Sequence, residues 1–478
     1  KAKIGLDPSR QPVHARSDHR QVSTAVDPFA SPHQVDPALQ KFLHLAADQL
    51  TEWMGSAAAA TPFPLVRPQP EVAPSKEGAD MESLLHDLQT VIDGAFQPSH
   101  PGSLAHLDPP PLTASIAADL ICAGLNNNLL AEELSPGLSS LEQQLCIWFC
   151  SRLGLPENSG GVLASGGTLS NLMGLVVARS ASASDQGVIF CSRDAHVSLQ
   201  KAAMVMGLPA DALQQLPVDA NGALCTTALE DALQAMKARG LPCLAVVATA
   251  GTTVRGAVDP LQAISELCAH HGIWLHVDAA IGGVFALSSA TSSLMQGLNR
   301  ADSITLNPQK LLGITKTSSL FLVRDKARLR ETFATGLPYM ESPTGEHHGG
   351  EVGLQGTRPA EVLKLWLGLR QLGEQGITAV LQGALERRRL LAQLLSSDRL
   401  QLLSGDLHLL AFRPRWGDAQ QTKQWSEHTR SRLLRAGFLL SRPQYDDHHW
   451  LKAVLGNPHT TTEHLQQLAD LIQSDLPG

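Results

Sequence analysis

Scarcity narrows this sequence first. Aromatic residues make up 4% of its 478 positions, and only two are tyrosines, Tyr339 and Tyr445. Seven cysteines are scattered singly between Cys122 and Cys268, with no CxxC pair. Cys146 and Cys150 stand four apart, which suits one helix face. An odd, dispersed set excludes a disulfide framework and a cysteine-based zinc site, and predicts the reduced, buried thiols of a cytoplasmic protein. The histidine pairs at 347–348 and 448–449 have neither a cysteine partner nor the i, i+4 spacing of a metal-binding helix, so no metal is expected. Basic residues do not dominate: 37 Lys and Arg face 45 Asp and Glu, a net charge of −8. That argues against nucleic acid or an anionic membrane as partner. No apolar run approaches the roughly 18 residues of a spanning helix. The amino end, Lys1 to Pro8, lacks the apolar core of a secretory signal.

What is present reads as a soluble globular chain, 43% hydrophobic and 17% charged, long enough for a large core domain and smaller ones. Residues 1–35, rich in Pro, Ser, His and charge, read as a flexible arm. Residues 36–110 read as a helical segment. One helix opens at Asp36 and Pro37 and carries Leu39, Phe42, Leu43, Leu50 and Trp53 near one face. A second runs from Asp80 to Ala95 beyond an Ala/Pro-rich linker. From 111 to 372, strand patterns near Val188, Leu244, Trp274, Ser303 and Ser319 alternate with helical ones. Such alternation predicts an α/β domain with a mostly parallel central sheet and helices on both faces. Residues 373–478 read as a small carboxyl-terminal α+β domain. Strands are expected at Leu407–Phe412, Gly437–Leu440 and Trp450–Leu455, with a closing helix capped by Thr460 and Glu463.

The chemistry gathers around Ser303–Gly313. Ile304 and Leu306 alternate as in a strand, Pro308 ends the ladder, and Lys310 follows in a turn. Thirty-two positions upstream, Asp278 closes another apolar strand. Ligands of α/β sheets bind at strand carboxyl ends. A lysine and a carboxylate there are the two parts pyridoxal 5'-phosphate needs: the amine holds the cofactor covalently, and the carboxylate keeps the pyridine nitrogen protonated. Each residue alone has a plainer reading, since a lysine at a strand end is usually a solvated surface residue.

Three stretches carry a resemblance: His276-Val277-Asp278-Ala279-Ala280, Asn307-Pro308-Gln309-Lys310, and Ala248 to Thr253. Together they resemble the group II pyridoxal-phosphate-dependent amino acid decarboxylases, and the matching motifs run in order from about His100 to Pro458. The resemblance implies a type I, aspartate aminotransferase-like fold and a homodimer with active sites at the subunit interface. It puts Gly167, Thr168, Asn307 and Gln309 at the cofactor phosphate, with Gly356 and Thr357 reaching in from the neighbouring subunit. Gln309 stands where the family usually has His. His196 and Ala280 would flank the two faces of the ring, with Thr252 beside it. Tyr339, 29 positions after Lys310, would protonate the substrate α-carbon, and Glu341–Gly353 would form a lid. His106 would line the substrate mouth, and Lys452 stands where the family usually offers Arg to a substrate carboxylate. The plainer readings are a glycine pair before a helix, a loop histidine, a β-turn threonine and a packed tyrosine. The implied reaction is α-decarboxylation of an L-amino acid, with L-2,4-diaminobutyrate or another short amino acid as first substrate. Glutamate/aspartate-type or aromatic substrates, an aminotransferase of the same fold, and a non-catalytic cofactor-binding protein are the alternatives.

Overall fold

A computed structural model describes residues 27–336 and 348–476. Tyr339 and most of the expected lid lie outside them, as does most of the arm. The chain forms two compact units. One comprises the described residues up to Ala57 together with Pro64–Phe96, and the other comprises Ala58–Phe63 and residues from Gln97 onward.

The smaller unit holds helices α1 (Pro37–Gly55) and α2 (Met81–Asp93). Asp36 caps α1 by accepting from the Ala38 and Leu39 N–H groups, and Asp80 caps α2 by accepting from Ser83. Both caps satisfy donors that a helix start leaves unpaired. Gln49 Nε2 donates to the Leu85 carbonyl at 3.0 Å, tying the helices together.

The larger unit opens with α3 (Thr113–Leu125) and α4 (Pro136–Arg152). Its centre is a seven-stranded sheet of β1 (Gly160–Ala164), β2 (Val188–Ser192), β3 (Leu213–Leu216), β4 (Cys243–Thr249), β5 (Leu275–Ala279), β6 (Ser303–Leu306) and β7 (Ser319–Val323). The order is β1-β7-β6-β5-β4-β2-β3, and β7 alone runs against its neighbours. The crossovers use α5 (Gly167–Ala181), α6 (Ser198–Val205), α7 (Thr226–Ala238) and α8 (Leu261–His271). Every residue of β5, β6 and β7 is buried, as expected of strands covered on both faces. Registers are fixed: Thr249 lies opposite Asp278 across β4 and β5, and His276 opposite Ser303 across β5 and β6.

After α9 (Ala327–Phe333), α10 (Val362–Leu394) runs towards the carboxyl-terminal strands. This long element is broken at Gly373, whose φ of 60° and ψ of 178° leave the helical region. A three-stranded antiparallel sheet follows from β8 (Leu400–Leu402), β9 (Leu409–Pro414) and β12 (Leu451–Val454). Helix α11 (Ala419–Arg435) and the two-residue strands β10 (Gln444–Tyr445) and β11 (His448–His449) intervene.

Two local expectations are corrected. Gly437–Leu440 is not a strand: Gly437 takes φ 87° just after α11, and Leu439 makes only an isolated bridge to Ser103. The last helix, α12 (Thr462–Ser474), is capped by Thr461 with His464 rather than by Thr460 with Glu463. The Thr460 hydroxyl is engaged elsewhere, donating to the Pro101 carbonyl at 2.7 Å.

Candidate active site

Three strands of the large sheet deliver side chains to one place. Thr249 ends β4, Asp278 sits near the end of β5, and Asn307 follows β6, with Lys310 one tight turn later. They line a cavity of about 230 Å³ together with Gly167, Thr168, Asn171, His196, Thr252, Ala280 and Gln309. Nine of the residues expected at the site therefore meet around one cavity. Gly356, Thr357, His106 and Lys452 do not line it.

Asp278 is 5% exposed. Its Oδ2 accepts from Asn171 Nδ2 at 2.9 Å and its Oδ1 from the Ala280 N–H at 3.2 Å. Burial pushes the Lys310 amine below the usual lysine range, and the negative charges of Asp278 and Asp108 work against that shift. Burial of this kind favours the neutral, nucleophilic form of an amine over the charged one. Burial also lowers the His196 imidazole, with Asp278 opposing and Lys310 assisting. His276, one turn of strand below Asp278, is driven by burial down to about 4, so it is neutral at ordinary pH.

The glycine-rich loop meets the cavity at the start of α5. Gly166 holds φ 107°, a conformation side chains rarely adopt, and no side chain caps the helix. A side chain on Gly167 would stand 3.1 Å from the Asn307 carboxamide. This is a concave backbone approach at a helix N-terminus, suited to a phosphate. Thr249 Oγ1 is buried and lacks a hydrogen-bond partner among the described residues, although it belongs to the cavity wall. A buried, unpaired hydroxyl is costly unless something fills the cavity and bonds to it. Carboxylate, lysine amine, glycine cradle and orphan hydroxyl together fit pyridoxal phosphate.

The comparisons with known proteins agree. Residues 64–413 match the family model described as the pyridoxal-dependent decarboxylase conserved domain. The chain belongs to the pyridoxal-dependent decarboxylase family. This decarboxylase is 29% identical to the L-2,4-diaminobutyrate decarboxylase of Rhizobium meliloti over 98% of its own length and 97% of the relative's. It is 33% identical to the enzyme of that name from Acinetobacter baumannii, over 63% of this chain and 64% of the relative. Human cysteine sulfinic acid decarboxylase is 30% identical over 63% of this chain, with 64% of the relative's length spanned. Among solved structures, Oryza sativa TDC with PLP and tryptamine superposes with a TM-score of 0.87 at 23% identity, over 94% of this chain and 99% of that one. The decarboxylase is thus a pyridoxal-phosphate-dependent carboxy-lyase of type I fold.

Several side chains behave otherwise than their motifs suggested. Gln309 turns its carbonyl oxygen to the Ser318 N–H. Thr252 Oγ1 accepts from the Ala257 N–H at 3.1 Å, the bond of a turn threonine, while still reaching the wall. Thr357 Oγ1 lies 3.4 Å from Asn128 Nδ2. Lys452 is 6% exposed, and its Nζ donates at 3.1 Å to the carbonyl of Thr253, which does line the cavity. Burial and the like charge of Lys310 push its amine down to about 8. Sequence reasoning missed Thr249, Asn171 and Ser198. Only a pattern linking strand ends to the polar face of α5 could have found Asn171.

Among the described residues there is no group of three metal-ligating side chains, and no helix is long and apolar enough to cross a membrane.

Proposed function

We propose that this enzyme is an L-amino acid α-decarboxylase whose first substrate is L-2,4-diaminobutyrate or another short amino acid. The observation that carries the site assignment is the convergence of Asp278 and Lys310 from adjacent parallel strands onto one cavity also lined by His196 and the Gly167 cradle. When bound, pyridoxal phosphate supplies an electron sink for the pair left behind as CO2 departs.

The chain's own residues do the rest. Lys310, its amine aimed into the cavity, would be the residue that holds the cofactor covalently. Asp278, kept in place by Asn171 and the Ala280 N–H, would be the carboxylate that pairs with the pyridine nitrogen and stabilises a proton there. Gly167, Thr168, Asn307 and Gln309 would hold the phosphate, and Gly356 and Thr357 of a second copy would complete that site. His196 and Ala280 would flank the two ring faces and hold the ring flat, with Thr252 beside it. Tyr339 gives a proton to the α-carbon after cleavage. His106 stands at the mouth. A homodimer, a cytoplasmic setting, and the division into an amino-terminal segment to 110, a cofactor domain to 372 and a small domain beyond belong to the same reading.

The two diaminobutyrate decarboxylases among the relatives support the substrate. A second reading, an acidic amino acid, is favoured by Lys452. It is a buried cation beside the Thr253 turn, and a substrate carboxylate could answer it.

The test is a panel of diaminobutyrate, ornithine, lysine, glutamate, aspartate, cysteine sulfinate, tyrosine and tryptophan. Amine and CO2 would be measured with the loaded enzyme and with Lys310→Ala. Diaminobutyrate should lead, and the variant should form no covalent adduct. Preference for glutamate or cysteine sulfinate would select the second reading. Release of CO2 by Lys310→Ala at the wild-type rate would sink the assignment.

A further inference from the structure

A chain of seven buried or half-buried side chains runs from the cavity wall into the core behind it, and its hydrogen bonds can run in only one direction. Asp278 Oδ2 is a pure acceptor when ionised, so the nitrogen of the Asn171 carboxamide must face it, at 2.9 Å. The second Asn171 N–H then points at Ser198 Oγ, also 2.9 Å away. Asn171 Oδ1 is left to face His276 Nε2 at 3.1 Å, which places the ring proton of His276 on that nitrogen. His276 Nδ1 is therefore an acceptor, and Ser303 Oγ must donate to it at 2.8 Å. Ser303 in turn accepts from Trp274 Nε1 at 2.9 Å. On the other branch, Ser198 Oγ has received its proton from Asn171 and donates its own to His196 Nδ1 at 2.9 Å. The Ser198 backbone N–H points at the same nitrogen at 3.2 Å, which agrees with Nδ1 as an acceptor. His196 then carries its proton on Nε2.

We infer that Asn171 and Ser198 are positioning residues that couple the two halves of the site: the Asp278 carboxylate, through Asn171 and Ser198, sets the tautomer and tilt of the His196 imidazole. His276 completes the coupling by holding the Asn171 oxygen, so the carboxamide cannot rotate end for end without setting two acceptors against each other. The inference rests on the reading that Asp278 and His196 address the cofactor ring, and it assigns roles to residues that reading leaves idle.

The test uses full-length protein and two readouts that need no amino acid substrate. These are the dissociation constant of pyridoxal phosphate from the apoenzyme and the visible circular dichroism of the bound cofactor. Asn171→Ala should raise the dissociation constant at least tenfold and reduce the dichroism. Ser198→Ala cuts only the His196 branch. It should leave the dissociation constant within about threefold, reduce the visible dichroism by half or more, and lower kcat five- to twentyfold with KM nearly unchanged. Ser198→Thr keeps the hydroxyl and should restore both dichroism and kcat. Wild-type dichroism and kcat in folded Ser198→Ala overturn the coupling, whether or not Asn171→Ala folds. Asp278→Asn separates the two levels. If it keeps full cofactor affinity, the site assignment itself fails. If it loses affinity while the Asn171 and Ser198 variants are silent, only the coupling fails.

Discussion

Gly174 lies inside α5, where alanine is ordinarily better than glycine by about 1 kcal/mol. Here the sign should reverse. A methyl group at this position would stand 2.5 Å from His276 Cε1, 2.6 Å from Nδ1 and 3.0 Å from Nε2. The ring has nowhere to go, because Ser303 Oγ holds one nitrogen at 2.8 Å and Asn171 Oδ1 the other at 3.1 Å. Overpacking of this kind costs about 1–3 kcal/mol. Breaking bonds in a buried polar chain adds about 1–3 kcal/mol. Against the helix gain, Gly174→Ala should lose about 3 kcal/mol. It should also weaken pyridoxal phosphate binding, because Asn171 is displaced along with the ring. Thermal melting of the apoenzyme reads the first effect and cofactor titration the second. A His276→Ala change in the same background makes room for the methyl. The cycle of four proteins should then show a coupling of at least about 1 kcal/mol. A Gly174→Ala protein that melts at or above wild type and binds the cofactor equally well would refute the packing argument.

Lys452 predicts an alkaline signature. Its amine is held down to about 8 in the fold against 10.5 outside it, so between those values the unfolded chain binds more protons and stability should rise with pH. Below about 8 both states are charged, and the full penalty of burying the ammonium remains. Lys452→Met should therefore melt higher than wild type at pH 7 and lose the rise between pH 8 and 10; parallel melting curves for the two proteins would contradict this. The Arg358 guanidinium donates to both Glu142 oxygens at 2.5 and 2.6 Å, with the two side chains 5% and 7% exposed. Glu142→Ala strands that cation and should cost about 3–5 kcal/mol in denaturant unfolding, whereas Glu142→Leu with Arg358→Met should recover much of it. A single variant as stable as wild type would show that the pair is not needed.

Much of the site was legible in the sequence because its parts stand at strand ends. Apolar runs announced β4, β5 and β6, and whatever polar residue closed each run was bound to lie at the ligand edge of the sheet. Asp278 and Lys310 were found that way. β1 and β3 were not, since Gly160-Gly161 hides a strand and the edge strand Leu213–Leu216 contains two exposed glutamines. The Gly437–Leu440 run had strand composition, but only one of its residues bridges, to Ser103. Asn171 was invisible for a different reason. It sits within a helix whose pattern marks it only as polar, and its partners Ser198, His276 and Asp278 come from distant parts of the chain. Gln309 could be seen as a departure from the family, yet its bond to the Ser318 N–H depends on how the following loop folds back.

The pairing of His276 with Ser303 across β5 and β6 bears on how the enzyme is made as well as on how it works. A slip of one residue would set Val277 against Ser303, turn every side chain of β5 to the other layer, and strand the Trp274, Ser303 and Asn171 donors and acceptors. Parallel strands close late, over long loops, and are where a nascent chain errs. The polar chain beneath Asp278 thus acts as an alignment check that only a correctly threaded sheet passes. Cofactor uptake becomes the sign that the check has been met, so the fraction of synthesised chains able to load pyridoxal phosphate should report folding fidelity more sensitively than the turnover of those that do.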